Sequence, residues 1–502
     1  MSQENKKVLL SVRNLKQYFP LKKRGMYVKA NDGIDLDIYE GEVFGLVGES
    51  GCGKSTLGRT LLQLYKQTDG RSMYYGKTLN DIAPKYVKKT INHLGKLKSE
   101  QLKLKAKYEQ LQKEYDGLTT EQQYAKHAEL DAAKKKANDA LLDITNLIGG
   151  LYILDDFSEV QKVYLKNYEF ALKRRDLRES KEQLDTRRED LVAENKNTAD
   201  IDSKIEKTVK EIEDLDKQIE ETQQEIEELR KPYLDNEEFK KYDELHDDGI
   251  DLARLDYNEM RLLRRDLQIV FQDPYSSLNP RLTIGQIIAE GLKAHNLFDK
   301  NSSRMQDYIL KVMDDCGLQA YFLHRFPHQF SGGQRQRISI ARALAVDPKF
   351  VVCDEAVSAL DVSIQSQIIN LLQDLKEKKD LTYMFITHDL SVVKYISDRI
   401  GVMYLGNMVE LGKSEAIFAK PIHPYTEALI NAIPTTDPDG QKELHILEGD
   451  IPSPVNPPSG CKFHTRCQYC TEICKQVVPE WVEMEKDHFV ACHHPLIEKK
   501  EQ

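Results

Sequence analysis

The chain has 502 residues, 40% hydrophobic and 31% charged, with a net charge of −10. At roughly 100–200 residues per domain it holds several domains, and a charged fraction above the roughly 25% of ordinary globular chains marks one unusually charged segment. The acidic balance excludes a generally basic nucleic-acid binder, no apolar run reaches the ~18 residues of a membrane span, and the opening MSQENKKVLL lacks a secretory apolar core. The protein is therefore expected in the cytoplasm.

Residues 1–76 read as short strands, a Gly-rich turn and a helix. VFGLVG (43–48) has the character of a buried strand and STLGRTLLQLY (55–65) that of a helix. From about 80 to 248 Gly and Pro nearly vanish and charged residues dominate. Apolar positions recur there in an alternating three–four pattern. One seam runs through Leu97, Gln101, Leu104, Tyr108, Leu111, Tyr115 and Leu118. A second runs through Ile205, Thr208, Ile212, Leu215, Ile219, Thr222, Ile226, Leu229 and Tyr233. Such seams predict a coiled coil or a long helical hairpin, with the two seams paired antiparallel. Asp116-Gly117, Gly149-Gly150 and Asn195-Lys196-Asn197 are the expected breaks.

After about 250 strands and helices alternate again. QIVFQ (268–272), FVVCD (350–354) and YMFIT (383–387) are compact apolar strands. SGGQRQRISIARALA (331–345) and SIQSQIINLLQDLKEK (363–378) are amphipathic helices. Alternation predicts an α/β domain with a largely parallel sheet.

Gly48-Glu49-Ser50-Gly51-Cys52-Gly53-Lys54-Ser55 fits the phosphate-loop pattern between a strand and a helix. Its glycines let backbone N–H groups surround phosphate oxygens, Lys54 supplies a point charge, and the Ser55 hydroxyl suits Mg²⁺. Asp354 and Glu355 close an apolar strand, where one carboxylate can hold a metal and the next polarise water. Ser331-Gly332-Gly333-Gln334 opens a helix whose N-terminus favours an anion. Gln272 and His388 each follow a strand, and Ser358-Ala359-Leu360-Asp361 follows Glu355.

In this order the motifs resemble the nucleotide-binding subunits of ABC transporters, over about 1–79 and 249–420. The resemblance implies an ABC-type P-loop ATPase domain of the α/β class, split by a helical coiled-coil hairpin at 80–248 and followed by a Cys-rich region at 421–502. It implies ATP and Mg²⁺ as ligands. Gly48, Ser50, Gly51, Gly53, Lys54, Ser55 and Thr56 would hold the phosphates. Phe19, or else Tyr18, would stack on adenine. Ser55, Gln272 and Asp354 would serve Mg²⁺, Glu355 would be the general base, and His388 would reach the γ-phosphate. Ser331, Gly332, Gly333, Gln334 and Asp361 would meet the nucleotide of a second subunit in a head-to-tail pair. Phe330 stands where Leu is commonest in the family.

The segments 271–281, 423–429 and 451–461 are similar to those of oligopeptide and dipeptide importers. The resemblance thus implies an ATPase on the cytoplasmic face of a membrane, working with two permease subunits and an extracytoplasmic peptide-binding protein, and with no nucleic acid. Related subunits serve nickel or glutathione, so the solute is left open. Five of the eight cysteines lie within 461–492. By resemblance Cys461, Cys467, Cys474 and Cys492 would hold a four-iron four-sulfur cluster. By chemistry four thiolates suit iron–sulfur or Zn²⁺, or they pack reduced without metal. Chromosome ATPases of the SMC type also split such a domain, but after the Gln272 position rather than before it. A duplicated translation factor is excluded by the single phosphate loop.

Overall fold

A computed structural model describes residues 6–23, 25–299, 302–433 and 449–497. They form two compact units. One joins the chain up to Gly76 with the chain from Met260 onward, and the other spans Lys77–Glu259.

The first unit is built on an eight-stranded sheet. We number its strands with those of a smaller sheet: β1 Val8–Pro20, β2 Tyr27–Tyr39, β3 Val43–Val47, β4 Asp69–Tyr74, β5 Leu267–Val270, β6 Phe350–Asp354, β7 Thr382–Ile386, β8 Arg399–Tyr404, β9 Asn407–Lys413, β10 Trp481–Glu485 and β11 His488–Ala491. The order in the large sheet is β10-β11-β9-β8-β3-β7-β6-β5. From β8 to β5 all pairs are parallel. Every residue of β3, β6 and β7 is buried, as expected where helices cover both faces of a parallel sheet. β1, β2 and β4 pair antiparallel in the other sheet. β1 and β2 have 13 residues each, longer than the short strands expected. The helix after β3 is shorter than expected, covering Lys54–Leu61. Gln63, at φ 52°, turns the chain out of it.

The C-terminal region extends this same sheet. β11 pairs with β9 through Glu410↔Val490 and Leu411↔Phe489. The Glu410 carboxylate, fully buried, accepts from the backbone N–H of Ile422 and of His423 and lies 2.8 Å from His488 Nε2. One carboxylate thus satisfies three groups from two segments. Removing it leaves them buried and unpaired, which costs about 3–5 kcal/mol for comparable pairs.

The second unit is helical, and it carries two hairpins where one was expected. Leu94–Asp116 packs on Thr120–Ile148, and Ser158–Ala193 packs on Ala199–Arg230. All positions of both seams are buried or half-buried, but the seams do not pair with each other. Each packs on its neighbour in the chain, because connections of a few residues force consecutive helices to lie antiparallel. The breaks fall at Gly117, Gly149 and Asn195. Between the second pair, Arg174 bonds Asp216 at 2.9 Å and Thr222 donates to Asn167 at 2.9 Å. At the base, Gly150 lies flat against the Phe239 ring, where a Cβ would not fit. Tyr86, Ile91, Ile144, Leu151 and Phe157 complete that core. The unit reaches beyond 80–248 at both ends. Thr78 and Asp81 form a capping box, and Arg254 lies over Tyr86 and bonds Asp143.

In the first unit the two edges of the interruption lie together. Tyr74 donates to Asp266 at 2.9 Å, and Lys349 donates to the Gly76 carbonyl at 2.6 Å. A short Gly/Ser linker replacing residues 80–248 is therefore expected to leave a folded subunit with ATP hydrolysis intact. Loss of ATP binding in that soluble, folded variant would make the helical unit part of the catalytic fold.

Candidate active site

Four adjacent parallel strands end at one edge of the sheet, and each delivers a motif there. Glycines follow β3, Gln272 follows β5, Asp354 and Glu355 close β6, and His388 follows β7. This is the edge where doubly wound sheets place their ligands.

The loop after β3 is held against backbone on two sides. A Cβ on Gly48 would strike the Met403 carbonyl, and one on Gly53 would strike the Ala30 carbonyl. Both glycines also have positive φ, 149° and 102°. Lys54 is buried. Its Nζ donates to the Gly48 and Glu49 carbonyls at 2.7 and 3.0 Å, curled inside its own loop. Ser50 and Gly51 are exposed, and Gly53, Ser55 and Thr56 are half-buried at the helix start.

Asp354 is fully buried. Its Oδ2 takes Arg59 Nη2 at 3.0 Å, while Oδ1 has no hydrogen-bond partner among the described residues. A buried, unsatisfied carboxylate oxygen is costly unless something is meant to meet it. This donor fits a hard cation such as Mg²⁺. Glu355, at φ 49°, is held there by its N–H to the Ile386 carbonyl; such strain persists where the surroundings over-determine it. Gln272 Nε2 donates to Glu355 Oε2 at 2.6 Å, and His388 Nδ1 lies 3.5 Å from Oε1. The structure therefore brings Gln272 and His388 onto one carboxylate.

Ser331–Gln334 form a reciprocal capping box on the helix Gly332–Leu344. Gly333 leaves no room for a Cβ beside Ile364. Phe330 is buried against Phe322, edge to face at 4.8 Å. Asp361 is exposed at the start of Val362–Lys379 and makes no capping bond. Phe19 is half-buried with its edge on Tyr65, whereas the Tyr18 hydroxyl is engaged by Asp32. Phe19 is thus the ring left without a polar tie.

Sequence reading missed Arg59, Arg335, Tyr425 and Arg466. Arg335 lies 3.7 Å from the Tyr275 ring centre, joining the segment after Gln272 to the helix of Ser331. Tyr425 accepts from the Glu49 N–H, and Arg466 pairs with the Glu49 carboxylate. The partners of Arg59, Tyr425 and Arg466 are more than 250 residues away and that of Arg335 is 60 away, and no local pattern marks them.

Cys461, Cys467, Cys474 and Cys492 line one cavity together with His423, Phe463 and His464. Cys470 is not among its walls. All five are free thiols. Burial pushes Cys461 up to about 11 and Cys492 to about 12. Among the described residues no three His, Cys, Asp or Glu side chains are grouped to hold a metal. The expected iron–sulfur centre is therefore not supported: these thiols share a cavity but are not grouped as a ligand set.

The family model for ABC transporters matches residues 31–230 and 236–358, and that for the C-terminal region of oligopeptide/dipeptide transporters matches 409–474. The chain belongs to the ABC transporter family, as an ATP-binding subunit. It is 33% identical to the oligopeptide transport ATP-binding protein AppF of Bacillus subtilis, covering 98% of this chain and 99% of that one. It is 50% identical to the putative oligopeptide transport ATP-binding protein YkfD of the same organism, over 49% of this chain and 75% of the relative. A putative peptide import ATP-binding protein of Brucella ovis is 51% identical over 49% of this chain and 77% of its own.

His423 caps the helix Pro424–Asn431 with a ring nitrogen accepting from the Tyr425 N–H. Burial lowers its pKa from 6.5 to about 4. The folded state holds the neutral ring, so its contribution is complete above the unfolded pKa and is lost as pH falls toward 4. That loss is about 3 kcal/mol. In His423→Asn, which keeps a capping acceptor, the urea midpoint is expected to fall less between pH 6.5 and 4 than in wild type.

Proposed function

We propose that this chain hydrolyses ATP to drive peptide import through a membrane permease. The observation that carries the ATPase reading is the convergence of Gln272 and His388 on Glu355, next to a buried Asp354. Peptide as cargo is supported by the matching C-terminal family model and by the names of the relatives. No helix among the described residues is long and apolar enough to cross a membrane, so the translocation path belongs to partner subunits.

In this reading the phosphates displace Lys54 from the Gly48 and Glu49 carbonyls, and the charged amine turns to them with the N–H groups of Gly51, Gly53, Ser55 and Thr56. Mg²⁺, when bound, supplies charge that stabilises the phosphate oxygens. Ser55, Gln272 and Asp354 Oδ1 are the residues to hold it, while Arg59 holds the Asp354 carboxylate in place through its other oxygen. Glu355 takes the proton of the attacking water. Gln272 and His388 hold its two oxygens in place until nucleotide arrives, and His388 then turns to the γ-phosphate. Phe19 stacks on adenine. Ser331–Gln334 and Asp361 complete the site of a second ATPase subunit, whose own signature completes this one. An extracytoplasmic binding protein delivers the peptide. An iron–sulfur centre would draw on Cys461, Cys467, Cys474 and Cys492, with their thiols deprotonated and drawn together; the ATP chemistry does not depend on it. The helical hairpins are a docking arm or a neutral insertion.

Glu355→Gln is expected to bind ATP normally and to lose about 10²–10⁴-fold in turnover, because the amide cannot accept the water's proton. Lys54→Ala is expected to weaken nucleotide binding itself. ATP binding and steady-state hydrolysis by the purified complex distinguish the two, and near-normal turnover by Glu355→Gln would remove it as the base.

A further inference from the structure

The phosphate loop carries a negative charge of its own. Glu49 lies between Gly48 and Ser50, where a triphosphate is to bind, and a carboxylate there opposes that ligand. Among the described residues its charge is met by Arg466. Arg466 Nη1 lies 2.7 Å from Glu49 Oε2, and Nη2 lies 3.1 Å from Oε1. The pair is bidentate, with the Arg466 side chain 5% exposed and that of Glu49 23%. Such fork-to-fork pairs fix geometry as well as charge.

Arg466 comes from the Cys-rich segment, more than 400 residues downstream, and that segment is itself firmly seated. Phe463, 2% exposed, packs on the rings of Tyr404 and Tyr425 at 5.2 and 5.3 Å. The Arg466 N–H donates to the Phe463 carbonyl. Lys462 reaches Asp32 at 3.2 Å and the Leu405 carbonyl at 3.3 Å. Asp32 also takes the Tyr18 hydroxyl, next to Phe19. The backbone of the loop is tied to the same region, since the Glu49 N–H donates to the Tyr425 hydroxyl at 2.9 Å. The segment between Cys461 and Cys467 thus touches the phosphate loop through Arg466 and is linked through Asp32 to Tyr18, the neighbour of Phe19 in the chain.

We propose that Arg466 is a positioning residue for ATP: it neutralises Glu49 and holds the phosphate loop in its binding shape, so that the Cys-rich segment sets nucleotide affinity. This rests on the ATPase reading above and extends it to a region outside the nucleotide motifs. Without Arg466, Glu49 faces the phosphates uncompensated and the loop loses a fixed anchor. An unpaired half-buried charge within several ångströms of a polyanion is worth about tenfold in affinity.

The test measures, on the full-length chain, the dissociation constant of a fluorescent ATP analogue, and on the assembled transporter KM and kcat for ATP. The variants are Arg466→Ala, Arg466→Lys, Glu49→Gln and the double variant Arg466→Ala/Glu49→Gln. Arg466→Ala is expected to raise Kd and KM about tenfold and to leave kcat at saturating ATP within about twofold. Arg466→Lys should keep part of the affinity, because it keeps the charge and loses the fork. Glu49→Gln, itself a change in the phosphate loop, removes the fork and the opposing charge together and is the reference for the double variant, which should recover the charge-dependent part of the affinity lost in Arg466→Ala. A merely structural arginine would not be rescued by removing the opposing charge. If Arg466→Ala does not yield soluble protein, Arg466→Lys is compared with Arg466→Lys/Glu49→Gln on the same terms. Unchanged Kd in folded Arg466→Ala, or a double variant as weak as the single one, overturns the proposal. Failure of the wild-type chain to bind the analogue would instead overturn the ATPase reading.

Discussion

At Gly48 and Gly53 the phosphate loop has no room for a side chain, and the catalytic unit is arranged around that limit. Gly48 abuts the Met403 carbonyl and Gly53 the Ala30 carbonyl. The first contact comes from β8, on one side of β3 in the large sheet, and the second from β2 in the smaller sheet. The loop is therefore clamped between the two sheets before any ligand enters. Preorganisation of this kind matters because phosphoryl transfer offers the protein little covalent chemistry to perform. The remaining task is to place charge, and the parallel strands do so by ending together.

That placement extends to groups that never meet the substrate. Arg59 occupies one oxygen of Asp354 and leaves the other unsatisfied. Arg335 stacks on Tyr275, so the segment that carries Gln272 is braced by the helix that begins at Ser331. Any movement of the Gln272 segment is thereby tied to the helix that begins at Ser331.

The helical unit and the C-terminal region contrast in their relation to this core. The helical unit has its own buried core of Tyr86, Ile144, Leu151, Phe157 and Phe239, and its interruption of the chain closes neatly at Tyr74 and Asp266. The C-terminal region has a small core, Ile422, Met484, Val490 and Ile497. It adds β10 and β11 to the large sheet, hangs on the buried Glu410 carboxylate, and reaches the phosphate loop through Arg466. A region marked in sequence by its cysteines is linked to the site in three dimensions by its basic residues.

The ATP motifs were legible in sequence because each is local. A glycine pattern, a strand ending in Asp354-Glu355, or a helix opening at Ser331 reports its own backbone conformation within a few residues. The α/β class, the helical seams and the breaks at Gly117, Gly149 and Asn195 were readable for the same reason: periodicity and turn chemistry act over short range. Only the tertiary structure decided what those pieces meet. Seam positions show which side of a helix is buried but not against which helix, so the two hairpins and their chain-neighbour pairing were not readable. Cysteine spacing could not show that the thiols share a cavity without forming a ligand set, since spacing says nothing of how the side chains converge. Nor could any local pattern join Gln272 and His388 on Glu355, or Arg466 to Glu49. Those bonds link residues from 33 to 417 apart in the chain, and their partners are chosen by the fold.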